Sequence, residues 1–177
     1  LGEVVEGLTR GVARLLADAG VRVLEGHARF SRPGRVAVEH GDTVEFLDYA
    51  QAVTATGSRP IQLPDIPVDG NRVVGSDSLL FTDRLPEHLV LVGGGYIGVE
   101  LGCAFAKLGS RVTIVEAEDR ILPGFDARTG RLVAKGLRRL GVGLCLEHRA
   151  VGTDEHGLVV AGPDGEATLP ADRIAVV

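Results

Sequence analysis

The sequence predicts an α/β fold: a parallel sheet with helices in the second half of the chain, preceded by a lobe of short strands. Three observations carry this. From Leu89 to Glu147, apolar runs of strand length alternate with amphipathic runs of helix length. A glycine cluster, Gly93-Gly94-Gly95, stands where the first of those runs gives way to a helix. A Pro-rich stretch from Arg59 to Pro67 separates this alternation from the first third of the chain.

The elements follow in order. Between Val4 and Ala19, residues Val5, Leu8, Val12, Leu15 and Leu16 share one helical face, and Gly20 supplies the C-cap. Four β-like runs come next, at Val21–Leu24, Ala28–Ser31, Arg35–Glu39 and Thr43–Leu47, with turns at Pro33-Gly34 and Gly41-Asp42. A fifth, more continuously apolar run spans Tyr49–Thr54 and ends at Ala55-Thr56-Gly57. Proline has no N–H to give a ladder, so the Pro-rich stretch reads as a boundary. The expected division is residues 1–60, a linker at 61–70, and a second domain at 71–177. In that domain Leu89–Val92 reads as a buried strand, Gly98–Leu108 as a helix and Arg111–Glu116 as a second strand. Arg128–Leu140 reads as a further helix and Gly143–Glu147 as a strand. The tail reads as a hairpin, Gly157–Val160 with Glu166–Leu169, and a final strand at Ile174–Val177.

Composition excludes several functions. The 177 residues are 45% hydrophobic, enough for a folded core. A net charge of −5 leaves no overall basic footprint for nucleic acid. The most apolar stretch, Leu89–Val99, is too short to cross a bilayer and is broken by the run Gly93-Gly94-Gly95. Two cysteines, Cys103 and Cys145, make neither a disulfide framework nor a CxxC pattern, which suits a reducing, cytoplasmic setting. The five histidines fall in no HxH or HExxH spacing, so no metal site is expected. Leu1 opens directly into an amphipathic pattern, as if the chain began mid-protein.

The chemistry gathers at Gly93-Gly94-Gly95-Tyr96-Ile97-Gly98, a GxGxxG between a strand and a helix. Gly93 permits the tight turn, Gly95 admits a pyrophosphate to the backbone, and Gly98 lets the helix lie close to the strand. The helix N-terminus then favours the phosphates. Glu116, 18 residues beyond Gly98, closes the second strand, where a carboxylate accepts hydrogen bonds from ribose hydroxyls. Glu118 and Asp119 add like charge against a 2′-phosphate, so NAD(H) is expected over NADP(H) on a Rossmann-like unit.

Ala55-Thr56-Gly57-Ser58-Arg59-Pro60, the run Leu89–Gly102 and the segment Val115–Asp126 together resemble the pyridine nucleotide–disulfide oxidoreductases. Within that family the chain is most like the dihydrolipoamide dehydrogenase branch. The resemblance implies an FAD domain interrupted by an NAD domain, hydride passing from a thiol pair through flavin to NAD, and a homodimeric parent enzyme acting on dihydrolipoamide or another dithiol. It places Ala28, Thr56, Gly57 and Ser58 beside FAD. It places Gly93 through Glu100 along NAD, with Tyr96 near nicotinamide and flavin, Glu100 on the first helical turn facing the nicotinamide, and Ala150 beside the adenine. The family's closely spaced redox cysteines do not occur here; Cys103 and Cys145 sit among apolar residues. The chain therefore reads as an internal segment with no catalytic residue of its own, expected neither to retain FAD nor to oxidise dihydrolipoamide. A sister NADH oxidase or mercuric-type reductase, and a stand-alone NAD-binding module, remain open readings.

Overall fold

The computed structural model describes residues 2–177. The chain divides into two compact units, one ending at Ser58 and one beginning at Arg59.

The first unit opens with helix α1 (Gly2–Asp18). Gly20, at φ +69°, closes it: its N–H reaches the Ala17 carbonyl and the Val21 N–H reaches Leu16. Strands β1 (His27–Arg32), β2 (Arg35–His40) and β3 (Thr43–Asp48) then form an antiparallel sheet in that order. Gly34 at φ +78° makes the first hairpin turn. Ala37 and Val38 are buried, and a bidentate Arg35–Asp48 pair at 2.6 and 2.7 Å ties β2 to β3. Two strand expectations fail here. Neither Val21–Leu24 nor Tyr49–Thr54 forms a strand, and Val53 is 93% exposed. An apolar run signals burial, but a strand exists only through a ladder partner, and none of the described residues pairs with either run.

The second unit is built on a five-stranded sheet in the order β4-β11-β5-β6-β7, with parallel pairing throughout. Its strands are β4 (Val73–Gly75), β5 (His88–Val92), β6 (Arg111–Val115), β7 (Gly143–Cys145) and β11 (Arg173–Val176). Helix α2 (Ser76–Leu80) follows β4, α3 (Tyr96–Leu108) links β5 to β6, and α4 (Ala127–Arg139) links β6 to β7. Between β7 and β11 the chain makes an antiparallel meander of β8 (Arg149–Thr153), β9 (Gly157–Gly162) and β10 (Gly165–Pro170). The sequence reading missed β4, α2 and β8.

Both sheet faces are covered, which explains the near-continuous apolar strands. Leu89, Leu91, Val112 and Ile114 pack with Leu101 and Phe105 of α3 and Leu137 of α4. Val90, Val115, Ile174 and Val176 pack the other way, with Leu158 and Val160 of the meander and with Ile66. Ile66 is fully buried and bridges to Leu63, so the Pro-rich stretch read as a linker lies against this second unit. Among the described residues no helix is long and apolar enough to cross a membrane.

Candidate nucleotide site

The chain leaves β5 by stepping outward through β6 to β7, then returns to β11 on the opposite side of β5. The strand order therefore reverses at the carboxyl end of β5, where open α/β sheets take their ligands. Gly93 sits at that point. Its φ of +123° is closed to most side chains, and an added Cβ would stand 2.5 Å from the Val177 carbonyl oxygen. A Cβ on Gly98 would overlap the Gly93 carbonyl, and one on Gly102 would come within 3.0 Å of Ile114. These small residues let α3 lie directly on the sheet. Gly95 differs: nothing lies within 4 Å of where its Cβ would project. It caps α3 with extended backbone at φ −69°, leaving the first N–H groups of the helix without side-chain partners.

The turn is bolted to the strand beside it. The Gly94 N–H donates to Glu116 Oε2 at 2.8 Å, and the Gly94 carbonyl accepts the Leu122 N–H at 2.7 Å. Glu116 Oε1 accepts the Glu118 N–H at 3.0 Å. The Glu116 backbone also pairs with the segment after β7: its N–H donates to Cys145, and its carbonyl accepts the His148 N–H. Glu147, at φ +56°, provides the bend that brings His148 and Ala150 round to the same place. The result is a cleft of about 240 Å³ lined by Gly93, Val115, Glu116, His148, Ala150 and Val177, among others. His148 packs its ring on Gly162, and its Nδ1 lies 2.6 Å from the Leu146 carbonyl.

Several sequence-derived positions thus converge: Gly93, Glu116 and Ala150 line one cleft, Gly94 is bonded to Glu116 behind it, and Gly95 and Gly98 belong to the same turn and helix start. Tyr96 and Ile97 open α3, the former largely exposed and the latter half-buried against the core. One placement is corrected. The helix begins at Tyr96 rather than Gly98, so Glu100 lies beyond the first turn, which holds no acidic residue. Gly95 serves as N-cap, and Gly98, read as the helix start, is already inside it. Glu100 is exposed and does not line the cleft. In the first unit, Ala28 lies on β1 opposite Val38, and Thr56–Ser58 form exposed irregular backbone with Gly57 at φ +75°. His148, Leu63 and Ile61 line the cleft without having been singled out from the sequence. The signal for His148 was only its proximity to Ala150.

Neither cysteine is near a partner. Cys103 on α3 packs with the helical face of the sheet, while Cys145 on β7 packs with the opposite face. Both are free and half-buried, and burial pushes the Cys145 thiol up. No group of three potential metal ligands occurs among the described residues.

The pattern of the whole chain matches one family model, pyridine nucleotide-disulphide oxidoreductase, over residues 2–177. The chain belongs to this family. It is 44% identical over 175 residues to a dihydrolipoyl dehydrogenase of Pseudomonas aeruginosa, covering 98% of this chain and 38% of that one. The family fold is shared with LpdA from Mycobacterium tuberculosis, at TM-score 0.83 and 28% identity over 99% of this chain and 40% of the other. It is shared also with the HOCl-induced flavoprotein disulfide reductase RclA from Escherichia coli, at TM-score 0.80 and 30% identity, again over 99% and 40%. The chain spans about two fifths of the length of these relatives. As a pyridine nucleotide-disulphide oxidoreductase, it has its glycine turn and Glu116 at the switch point of its parallel sheet.

Proposed function

We propose that this chain is the NAD-binding part, with a portion of the FAD domain, of a dihydrolipoyl dehydrogenase. Residues 1–60 are assigned to the FAD domain, 61–70 to a connecting segment and 71–177 to the NAD domain. The observation that carries the reading is the Glu116 carboxylate, pinned by Gly94 and Glu118 N–H groups at the rim of the Gly93 turn. The similarity to dihydrolipoyl dehydrogenases supports the substrate assignment.

The residues fit a dinucleotide. The open space over Gly95 and the uncapped start of α3 suit a pyrophosphate. Glu116 keeps acceptor capacity for ribose hydroxyls, because a carboxylate offers more lone pairs than its two backbone bonds use. Ala150 and Val177 offer an apolar wall for the adenine end. Tyr96, exposed at the first turn of α3, is assigned to the nicotinamide side. When bound, nicotinamide would supply a two-electron acceptor: of the two hydrogens a dithiol loses on becoming a disulfide, the equivalent of one hydride would go to the ring and one proton to solvent. Ala28 and Thr56–Ser58 are exposed and compatible with lying along a flavin.

The test is lipoamide-dependent turnover by the protein that carries this chain. Dihydrolipoamide-driven reduction of NAD is the expected result. NADH consumption coupled to oxygen and indifferent to lipoamide would assign the protein to the oxidase branch instead.

A further inference from the structure

A second cleft lies on the same unit and shares no lining residue with the one at Gly93, although its Asp119–Ile121 segment runs on to Leu122, whose N–H bonds the Gly94 carbonyl. Its volume is about 660 Å³, and it runs between α4 and the Asp119–Ile121 segment, with Leu146 at its end. Its floor is apolar, formed by Ile121, Ala134 and Leu146. Its rim is cationic. Arg131, Lys135 and Arg138 repeat along α4 at spacings of four and three residues, so they share one helical face, with Arg139 beside them. Arg120 lines the cleft from the facing loop. Asp119 is the single acidic residue among those lining it.

These cations have little to balance them. No side-chain hydrogen bond or ion pair engages Arg131, Lys135, Arg138 or Arg139 among the described residues. The guanidinium of Arg120 reaches Asp119 and the Pro123 carbonyl, yet its Nε is buried and has no hydrogen-bond partner. A buried donor without an acceptor is unusual in a folded protein. Cations in the last turn of a helix complement its dipole, which accounts for Arg138 and Arg139 but not for mid-helix Arg131 and Lys135. The chain as a whole carries −5, so this concentration of positive charge is local.

We propose that this cleft binds a small oligophosphate, separate from the nucleotide held at Gly93 and independent of the reading of that site. A linear phosphate chain bearing three or more negative charges suits a row of guanidinium and ammonium donors. The apolar floor favours a small ligand over an extended polyanion, and the volume lies in the range of small-molecule sites. The ligand is either a free oligophosphate or a nucleoside triphosphate whose base covers the Ile121–Leu146 floor.

The experiment is calorimetric titration of the 177-residue chain with inorganic tripolyphosphate, and with ATP, at low and moderate salt. Saturating NADH is present throughout to occupy the Glu116 site. Tripolyphosphate is expected to bind, and K135Q/R138Q is expected to weaken binding by about tenfold or more. The control K107Q/R111Q removes the same charge from another face, Lys107 being a last-turn helix cation as well, and is expected to stay within about twofold. Should K135Q/R138Q lose its helical circular dichroism, R131Q alone, exposed at mid-helix, carries the same test. Tighter ATP binding assigns the floor to the base, and equal binding assigns recognition to the phosphate chain. Absence of binding, equal losses in both double variants, or tighter binding of a 20-nucleotide single strand than of tripolyphosphate would overturn the proposal.

Discussion

The carboxylate of Glu116 accepts the backbone N–H of Gly94 at 2.8 Å, so the end of β6 and the turn after β5 form one rigid unit. A second bond from the Glu118 N–H at 3.0 Å fixes the other oxygen. The negative charge at this rim is thus held in place rather than carried on a free rotor, and Gly94, lacking a Cβ, leaves room for it, since a Cβ there would stand 3.0 Å from the Glu116 side chain.

Cofactor choice follows from that fixed charge. A 2′-phosphate would meet Glu116 directly, with Glu118 and Asp119 nearby, and a like-charge contact in a partly desolvated cleft is costly. NADH is expected to bind about tenfold or more tightly than NADPH. Glu116→Ala should narrow this gap, chiefly by weakening NADH. Calorimetry that finds equal affinities for the two cofactors in the unaltered chain would sink the idea.

The two flanking glycines should fail differently. Gly98→Ala drives a methyl into the Gly93 carbonyl, where backbone has to move, so a loss of about 1–3 kcal/mol in stability is expected. Gly95→Ala meets nothing within 4 Å and keeps an ordinary φ, so the fold should stand while NADH affinity falls. Thermal denaturation and NADH titration of both variants separate these outcomes. A Gly95→Ala protein that binds NADH unchanged would show that no ligand approaches the turn there.

The β5–α3–β6 core was legible because each pattern matches its surroundings. Leu89 and Leu91 face the helices, Val90 faces the meander, and the glycine turn stands between strand and helix. Pairing was less legible. Val21–Leu24 and Tyr49–Thr54 look like strands by residue type, but none of the described residues gives either run a ladder partner, and composition does not report pairing. β8 was missed because Arg149–Thr153 holds a glycine and alternates only weakly, its identity resting on its register with β9. At the site, the residue types were readable and their directions were not. Glu100 moved out of the first turn because the helix starts at Tyr96, and His148 entered the cleft through the unanticipated bend at Glu147.

The cysteines should be inert toward each other. Cys103 and Cys145 pack on opposite faces of one sheet, so its full thickness separates the thiols. Burial raises the Cys145 thiol, which lowers the thiolate fraction available at neutral pH. Native labelling with a thiol reagent should be slow at Cys145 and fast for both only after denaturation. A Cys103–Cys145 disulfide found by mass spectrometry would contradict the placement of both residues.

Acid should act on α4 through its cap. Asp126 stands at the N-cap, where its carboxylate accepts the Thr129 hydroxyl and the N–H groups of Arg128 and Thr129. These bonds, the Thr129 hydroxyl first, hold its carboxyl below the ordinary carboxylate range. A group whose folded pKa is depressed contributes stability that is present above the unfolded value, about 3.9, and lost as pH falls through the folded value. Asn also caps helices well but does not titrate, so Asp126→Asn removes the pH-dependent part and keeps a capping side chain. The stability advantage of the unaltered chain over Asp126→Asn should be constant between about pH 5 and 7 and shrink below about pH 4. The carboxyls of Asp48, Glu39 and Asp154, likewise held low by their partners, are common to both proteins and cancel in the difference. Urea denaturation followed by circular dichroism at pH 7, 5 and 3 measures it. An advantage that grows on acidification would mean that the Asp126 charge is not what anchors the start of α4.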